Sequence, residues 1–327
     1  MHAIRLHQFG PPDQLRYEEI EDPKAGPSQV RIAVGAAGVH VVDTTIRAGI
    51  SGGPFPLPDL PMTPGREVAG VVDQVGPGAD PDLLGARVVA HLGIASGGYA
   101  ELAVTGSAAL QPIPRGVSDE EAVAMIGTGR TTMGILEQSD LTADDVVLVT
   151  AAAGGIGNLL VQAAHQAGAL VVGVAGGPEK VALVQELGAH VAVDYLQADW
   201  ADRVRAGLGG RGVTLGFDSV GGEVSRTLID LMAPGGRIRV YGWSGGEYEE
   251  PPAELLAERQ VTTAMVLGKP MMDRPGGIRG LEDRALEELA SGRLRPIVNP
   301  PFPLAQAAKA HEAITARATV GKVVLVP

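Results

Sequence analysis

The pattern of apolar and polar positions changes along the chain, and residues 1–118 form its first part. Short apolar runs alternate there with turns rich in glycine and proline, such as Gly10-Pro11-Pro12 and Gly76-Pro77-Gly78. Short runs bounded by such turns are typical of strands that irregular loops connect. We therefore predict a mostly β domain, with strands around residues 30–34, 68–75, 87–91 and 99–104.

From about Ser118 the pattern becomes helical and then alternates. Residues 119–136 are predicted to form a helix, because Ser118 and Glu121 form the capping-box signature of a helix N-terminus. Further on, runs that are apolar throughout, as in residues 146–149, indicate strands covered on both faces. The predicted strands cover 146–151, 169–175, 190–193, 213–218, 236–242 and 261–266, and the predicted helices cover 155–167, 178–187, 200–208, 222–231 and 280–291.

This alternation predicts an α/β fold with a doubly wound parallel sheet of the Rossmann type. The predicted domains are the mostly β domain 1–118 and the nucleotide-binding domain 119–266. The tail 267–327 is predicted to return to the first domain and to end with a strand, a helix at 304–316 and a strand at 322–326.

The loop after the first strand of the alternating part reads Ala152-Ala153-Gly154-Gly155-Ile156-Gly157. It matches the dinucleotide-binding fingerprint, with alanine at the first of the three glycine positions. Gly154 would let the backbone approach a pyrophosphate, Gly157 would let the helix pack closely on the strand, and the helix N-terminus would hold the phosphates. A tight turn without a ligand is the alternative, but the position at the start of a βαβ unit favours a nucleotide site.

The end of the second predicted strand indicates which dinucleotide binds. NAD sites carry an acidic residue there, whereas this chain has Ala175 followed by Gly176 and Gly177, with Lys180 close behind. Small residues leave room for a 2′-phosphate and the lysine supplies positive charge, so we predict NADPH as the cofactor. The alternative for Lys180 is an ordinary solvated lysine, and Glu179 beside it counts against the assignment.

Composition excludes several classes of function. The formal net charge of -12 disfavours nucleic acid and anionic membranes as partners. The absence of cysteine removes disulfides, thiolate catalysis and cysteine-based zinc sites, and it fits the cytoplasmic location that we expect. The chain has no apolar run of about 18 residues, so no membrane span is predicted.

Motifs along nearly the whole chain carry a resemblance to a known family. They lie at residues 38–49, 64–72, 98–101, 151–157, 186–189, 194–195, 217–222, 235–242 and 321–326, and include Pro64-Gly65-Arg66-Glu67 and Gly321-Lys322-Val323-Val324. With them the chain resembles the medium-chain dehydrogenase/reductase superfamily, in particular its zinc-independent, zeta-crystallin-like quinone oxidoreductase branch. The resemblance implies a GroES-like catalytic domain, a Rossmann domain, a cleft between them for nicotinamide and substrate, and a homodimer paired through the strand at 261–266.

The resemblance also implies roles for individual residues. Relatives contact the adenosine 2′-phosphate with residues that match Gly176, Lys180, Tyr195 and Arg317. The segments near the nicotinamide match Thr128, Thr131, Tyr241, Gly242 and Trp243, and Gly177 and Val220 complete the predicted cofactor-binding set.

Zinc-dependent relatives place cysteine where this chain has His40, and His-Glu where it has Arg66-Glu67. His40, Asp43 and Glu67 are residue types that can bind a metal, but the zinc pattern around them is lost, so no metal site is predicted. Glu67 is expected instead to be a buried carboxylate paired with Arg47 or Arg66.

The predicted chemistry is hydride transfer from NADPH to a quinone or other conjugated carbonyl without a metal. The product anion needs a proton or a hydrogen-bond donor, for which His40 is the first candidate and Thr45, Tyr241 and Thr131 are weaker ones. The quinone branch usually has asparagine at the position of His40 and tyrosine at that of Thr45. The alternative for His40 is a structural role, in which it bonds a backbone carbonyl. Phe55 is either an apolar rim of the substrate site or a loop anchor.

Two other functions remain open from the sequence. One is reduction of the carbon–carbon double bond of an enone, enal or enoyl thioester. The other is a non-catalytic NADPH-binding protein, which the replacements at His40 and Thr45 keep in consideration.

Overall fold

The computed structural model describes residues 1–50, 56–245 and 250–327. Its strands are β1 (His2–Leu6), β2 (Leu15–Glu19), β3 (Gln29–Val39), β4 (Glu67–Val75), β5 (Arg87–His91), β6 (Leu102–Gly106), β7 (Leu110–Pro112), β8 (Val146–Val149), β9 (Leu170–Ala175), β10 (Val191–Asp194), β11 (Val213–Asp218), β12 (Met232–Val240), β13 (Thr262–Met265), β14 (Phe302–Pro303) and β15 (Val323–Val326). Its α-helices are α1 (Val41–Ala48), α2 (Asp119–Ala124), α3 (Arg130–Glu137), α4 (Gly155–Gln166), α5 (Pro178–Glu186), α6 (Trp200–Leu208), α7 (Gly222–Leu231), α8 (Ala253–Arg259), α9 (Lys269–Met272), α10 (Gly277–Ala290) and α11 (Ala307–Thr315).

The chain forms two compact units. Unit 1 comprises Met1–Arg130 and Glu282–Pro327, and unit 2 comprises Thr131–Leu281. These limits fall later in the chain than the predicted domain limits after residues 118 and 266. One reason is that α2 packs against β3 and β4, within the β-rich unit.

Unit 1 is built around a mixed sheet with the strand order β14-β15-β3-β4-β5-β7, in which β6 also pairs with β3. The central strand β3 alternates buried and partly exposed positions over most of its length, which is the period-2 pattern of a strand with one buried face. Its buried side packs with Ile4, Leu6, Val68 and Tyr99 in one apolar core. The C-terminal strand β15 pairs with β3, so that Val323 lies opposite Val39.

Unit 2 is a parallel sheet with the strand order β10-β9-β8-β11-β12-β13. Every residue of β8 is buried, as the apolar run predicts for a strand covered on both faces. The chain builds the sheet outward from β8 on one side and from β11 on the other, which places a topological switch point between these two strands. The predicted fold class, a doubly wound parallel sheet with a second β-rich part, is confirmed.

Local predictions hold at helix starts and fail in places inside the elements. The Ser118 capping box is present, with the Glu121 N–H donating to Ser118 Oγ at 3.1 Å. The single helix predicted at 119–136 contains a π-helical segment, Met125–Gly129, between α2 and α3. The short helices α8 and α9 were not predicted from the sequence pattern. In the part of the chain that the structure describes, no helix is both long and apolar enough to cross a bilayer.

Candidate cofactor and active sites

The glycine loop of unit 2 joins β8 to α4 at the carboxyl edge of the sheet. A side chain at Gly157 would overlap the carbonyl of Ala151 and lie 2.9 Å from Ala152 Cα, so only glycine allows this close approach of helix and strand. A Cβ at Gly154 would meet only the carbonyl oxygen of Ala151, at 3.1 Å. The space beside Gly154 is therefore open to a ligand, whereas the space beside Gly157 is filled by the protein itself.

The N-terminus of α4 begins at this loop and presents the positive end of a twelve-residue helix. The Asn158 side chain donates to the carbonyls of Gly154 and Gly155 at 2.7 and 2.8 Å, which fixes the first turn. The loop and the helix start have the arrangement that holds a pyrophosphate in dinucleotide sites.

Two buried polar residues that were not predicted tie the loops at the switch point together. Thr150, directly after β8, donates from Oγ1 to Asp218 Oδ1 at 3.0 Å, and the N–H of Ser219 donates to the same Oγ1 at 2.9 Å. Asp218 Oδ1 also accepts from the N–H of Val220 at 3.0 Å. The signal in the sequence was a polar residue at the end of each of two buried apolar strands that lie side by side.

The residues predicted around the 2′-phosphate lie partly together at the ends of β9 and β10. Asp194 pairs with Ala175 across these strands, and its Oδ1 accepts from the N–H groups of Gly177 and Leu196, both at 3.0 Å. The bond from Gly177 contributes most to lowering the pKa of Asp194, so this carboxylate is ionised and its role is to shape the turn.

Tyr195 and Lys180 complete this group in unit 2. The hydroxyl of Tyr195 would lie 3.5 Å from a Cβ at Gly176, so the two lie side by side. Lys180 is in the first turn of α5, one turn after Gly177. Arg317, the fourth residue of the predicted set, lies in unit 1 at the end of α11, in the left-handed conformation with a φ of 55°.

Tyr241 is enclosed in the core of unit 2, together with Phe217 and Val266. Burial raises the pKa of its hydroxyl well above the usual value. A phenol hydroxyl enclosed in this way favours a packing role, and the role of Tyr241 as a proton donor stays a prediction. Of its predicted neighbours, Trp243 is exposed and Val220 is buried.

The other predicted residues near the nicotinamide lie on both sides of the division between units. Thr128 is buried in the π-helical segment of unit 1, and Thr131 belongs to α3 in unit 2. A Cβ at Gly242 would lie 3.2 Å from the carbonyl oxygen of Ser219, so the chain passes close to the loop after β11. The cofactor roles of Thr128, Thr131, Gly242, Trp243 and Val220 stay predictions.

Unit 1 brings together three charged residues from distant parts of the chain. His40 precedes α1, Glu67 opens β4, and Lys322 precedes β15. Because β15 and β4 both pair with β3, they converge at one end of the sheet. Glu67 Oε1 lies 2.7 Å from His40 Nε2, Glu67 Oε2 lies 2.8 Å from Lys322 Nζ, and Lys322 Nζ lies 2.9 Å from His40 Nε2.

The charges of this cluster are strongly coupled. Glu67 is fully buried and the Lys322 side chain is only 4% exposed, whereas a quarter of the His40 side chain, 25%, is exposed. Burial raises the pKa of Glu67, but the charges of His40 and Lys322 outweigh it and hold the pKa well below its usual range. His91, which pairs with Glu67 across β4 and β5, has its pKa lowered to about 3, by burial first and by the charge of Arg130 second. His91 is therefore neutral at physiological pH.

Two glycines make the space for Glu67. A Cβ at Gly127, in the π-helical segment, would overlap Glu67 Oε1, and one at Gly38, in β3, would overlap Glu67 Oε2. The expectation that Glu67 is a buried carboxylate is correct. The expectation that Arg47 or Arg66 is its partner is wrong, since the groups within 3 Å of its carboxylate oxygens are His40 Nε2 and Lys322 Nζ.

A second buried group fixes the backbone of His40. Asp43 Oδ2 accepts from the His40 N–H at 2.9 Å and from the Tyr99 hydroxyl at 3.0 Å. The same hydroxyl lies 3.2 Å from His311 Nε2. Burial and the nearby Asp43 raise the pKa of Tyr99 well above its usual value, so the phenol keeps its proton. These residues hold the start of α1, and with it His40, in one position.

Thr45 and Phe55 are the remaining predictions for unit 1. The Thr45 hydroxyl donates to the carbonyl of Val41 at 3.4 Å, within α1. Phe55 lies outside the described residues.

Zinc, the metal of related dehydrogenases, does not fit this cluster. Lys322 places its own ammonium group within 2.9 Å of both His40 and Glu67, and a divalent ion beside it would be repelled. Within residues 1–50, 56–245 and 250–327, no three His, Asp or Glu side chains are arranged to hold a metal ion. The donor set here is a histidine, a carboxylate and a lysine, which is not a zinc ligand set.

Two family models match the chain, one in each part. Residues 26–115 match the model of the alcohol dehydrogenase GroES-like domain, and residues 155–277 match the model described as zinc-binding dehydrogenase. A quinone oxidoreductase of Pseudomonas aeruginosa is 32% identical over 327 residues, covering 99% of this chain and 99% of that protein. A 2-haloacrylate reductase of a Burkholderia species is also 32% identical, over 334 residues, covering 99% of this chain and 98% of that protein.

Solved structures agree with this result. The quinone oxidoreductase of Escherichia coli, solved in complex with NADPH, has a TM-score of 0.88 and 27% identity, with 100% of both chains covered. A structure described as an NAD-dependent alcohol dehydrogenase has a TM-score of 0.87 and 30% identity, also with 100% of both chains covered. Solved relatives of this fold thus include proteins described with either nicotinamide cofactor.

Proposed function

The chain belongs to the medium-chain dehydrogenase/reductase superfamily, in its zeta-crystallin-like quinone oxidoreductase branch, and we propose that it reduces a quinone or other conjugated carbonyl with NADPH. Membership makes it an oxidoreductase that uses a nicotinamide cofactor and a small-molecule substrate. The proposal of a reduction without a metal is supported by the cluster of His40, Glu67 and Lys322. In this cluster His40, the proposed proton donor, lies beside the ammonium group of Lys322.

The cofactor proposal assigns a task to each part of the loop region in unit 2. The backbone at Ala153, Gly154, Gly155, Ile156 and Gly157 and the start of α4 would hold the pyrophosphate. The 2′-phosphate would be bound by three residues. Gly176 would leave room for it in the turn, Lys180 would supply a positive charge, and Tyr195 would donate a hydrogen bond. When bound, NADPH supplies a hydride, which is two electrons and one hydrogen nucleus.

The acceptor proposal follows from what unit 1 can supply. A quinone or enone is already polarised by conjugation, and it accepts hydride without a Lewis acid. The oxygen anion that results takes one proton, which the His40 imidazolium gives up as its N–H bond breaks and an O–H bond forms. Solvent then returns a proton to His40 through the exposed part of its ring.

Reduction of a carbon–carbon double bond is the second candidate function. It is supported by the similarity to a 2-haloacrylate reductase, which is as high as that to the bacterial quinone oxidoreductase. The same residues would serve, because hydride addition to the β-carbon of an enone also leaves an oxygen anion that needs a proton.

A panel of acceptors tests both functions. NADPH and NADH oxidation would be followed with 1,4-benzoquinone, naphthoquinones, simple enones and 2-chloroacrylate, and the products would be identified. We expect NADPH oxidation with the quinones and hydroquinone as the product. Oxidation with the enones or the haloacrylate alone would favour the second candidate, and tight NADPH binding without any oxidation would point to a non-catalytic protein.

We also propose a homodimer. In unit 2, β13 lies at the edge of the parallel sheet, so its outer backbone groups are available to pair with a second copy. Light scattering after size-exclusion chromatography would give the mass in solution, and a monomer at micromolar concentration would contradict this proposal.

A further inference from the structure

We infer that Lys322 is a positioning residue that allows His40 to release its proton, by sharing the charge of Glu67. This inference rests on the proposed function, in which His40 protonates the reduced acceptor.

His40 Nε2 is in contact with two charged groups, Glu67 and Lys322. The contact between His40 Nε2 and Glu67 Oε1 is 2.7 Å, which is a hydrogen-bond distance. Glu67 is an acceptor only, because its carboxylate stays ionised. His40 Nε2 also lies 2.9 Å from Lys322 Nζ, a group that only donates, so Nε2 faces an anion that favours a proton on it and a cation that disfavours one.

Glu67 by itself favours the protonated form of the His40 ring. A buried carboxylate in contact with imidazolium holds the charged form strongly, because there is little solvent to screen the pair. With Glu67 as its only charged neighbour, His40 would be well oriented but would release its proton less readily. Lys322 changes this, since its Nζ lies 2.8 Å from the other carboxylate oxygen and 2.9 Å from His40 Nε2.

Within the described residues, the other charged or titratable groups near His40 are neutral or engaged elsewhere. His91 is neutral, and Arg130 is paired with Glu282 at 2.8 Å. Asp43, which faces the start of α1, binds the Tyr99 hydroxyl and the His40 backbone and lies 3.9 Å from Arg66. Lys322 is thus the cation in direct contact with both His40 and Glu67.

Lys322 acts differently from a catalytic metal ion. A metal polarises the substrate oxygen directly. The Lys322 side chain is 4% exposed and acts through Glu67 and His40. The acid in the site is then His40, and Lys322 sets how readily it gives up its proton.

The test compares K322M, E67Q, K322R and the double variant E67Q/K322M by the pH dependence of kcat/KM. Activity requires protonated His40, so it falls on the alkaline side. Removing the cation in K322M should move this alkaline limb up by about one pH unit, and removing the anion in E67Q should move it down by about as much. K322R should keep the limb in place, and the double variant should fall between the two single variants.

A second readout does not depend on turnover. The pH midpoint of the His40 Cε1–H resonance should move up in K322M and down in E67Q, while that of His7, an exposed histidine beside Glu18, should stay fixed. The double variant keeps this test open if K322M alone does not fold. Opposite shifts support the role of Lys322, whereas equal or absent shifts overturn it. If the wild-type protein reduces no acceptor, the proposed function fails, and the resonance shifts still decide the role of Lys322 toward His40.

Discussion

The two candidate sites are built in different ways. In unit 2 the candidate cofactor loop is a run of consecutive residues between β8 and α4. It would bind its ligand through backbone groups and through the space that its glycines leave free. In unit 1 the cluster joins His40, Glu67 and Lys322, which only the pairing of β15, β3 and β4 brings together, and it works through buried charge. The comparison shows that the glycine loop depends on the space around a few consecutive residues. The charged cluster depends instead on the strand pairing that brings its residues together and on the balance between their positive and negative charges.

The largest effect is expected at Gly154, where the loop leaves room for the ligand. Gly154→Val should abolish nucleotide binding, with at least a hundredfold loss of affinity, while Tm changes little, because the added Cβ meets only one protein atom, at 3.1 Å. Calorimetric titration with NADPH measures the binding. Gly157→Val is the matched control and should lower Tm instead, since its side chain would overlap the Ala151 carbonyl. Normal affinity in Gly154→Val would remove the loop from the cofactor site.

In unit 1 a single methyl group should disturb the charge cluster. Gly127→Ala places a Cβ on Glu67 Oε1, so we expect a loss of about 2–3 kcal/mol in the free energy of unfolding. Urea unfolding measures it. Gly106→Ala is the control, because a Cβ there would meet no atom within 4 Å. Equal stabilities of the two variants would mean that Glu67 is not confined as described.

A smaller effect separates the two cofactors in unit 2. Lys180→Glu should weaken NADPH binding by roughly thirtyfold and NADH binding far less, because only NADPH carries the 2′-phosphate that the lysine would contact. Lys309→Glu, on an exposed lysine of α11 in unit 1, makes the same change in net charge and should leave both affinities unaltered. Equal losses for NADPH and NADH would defeat the 2′-phosphate assignment.

The smallest effect concerns a buried ion pair of unit 2 that lies away from its loop. Burial raises the pKa of Asp145, but hydrogen bonds from Arg237 and Thr214 outweigh it and lower the pKa to about 2. Since the folded value lies below the unfolded value of about 3.9, the ionised form stabilises the fold above about pH 4. This contribution of about 2 kcal/mol should disappear as the pH falls from 4 to 2.

The measurement for this pair is the difference in unfolding free energy between wild type and Asp145→Asn, taken across that pH range. The difference should be constant above pH 4 and shrink below it. A difference that stays the same down to pH 2 would show that the carboxylate is not held ionised by Arg237.

The sequence predicted the parts of the structure that depend on local chemistry. The Ser118 capping box and the close packing at Gly157 could be identified because each needs only a few neighbouring residues. The apolar strand β8 and the parallel sheet followed from periodicity alone.

The parts that depend on distant pairing could not be predicted. Lys322 was visible only as the first residue of the last predicted strand, and nothing local indicated that the register of β15 on β3 carries it to Glu67. Tyr241 has the residue type of a donor, but the packing around it encloses its hydroxyl. The π-helical segment that makes room for Glu67 has no periodicity signal of its own, because it breaks the helical pattern for only five residues.

The central claim is that this protein reduces a conjugated carbonyl with NADPH while using its own cation in place of a metal. The most direct test is NADPH oxidation with 1,4-benzoquinone by protein that has been treated with a chelator and checked for metal content. We predict an unchanged rate, with one NADPH consumed for each hydroquinone formed. Loss of activity that added zinc restores, or no oxidation of NADPH at all, would contradict the account.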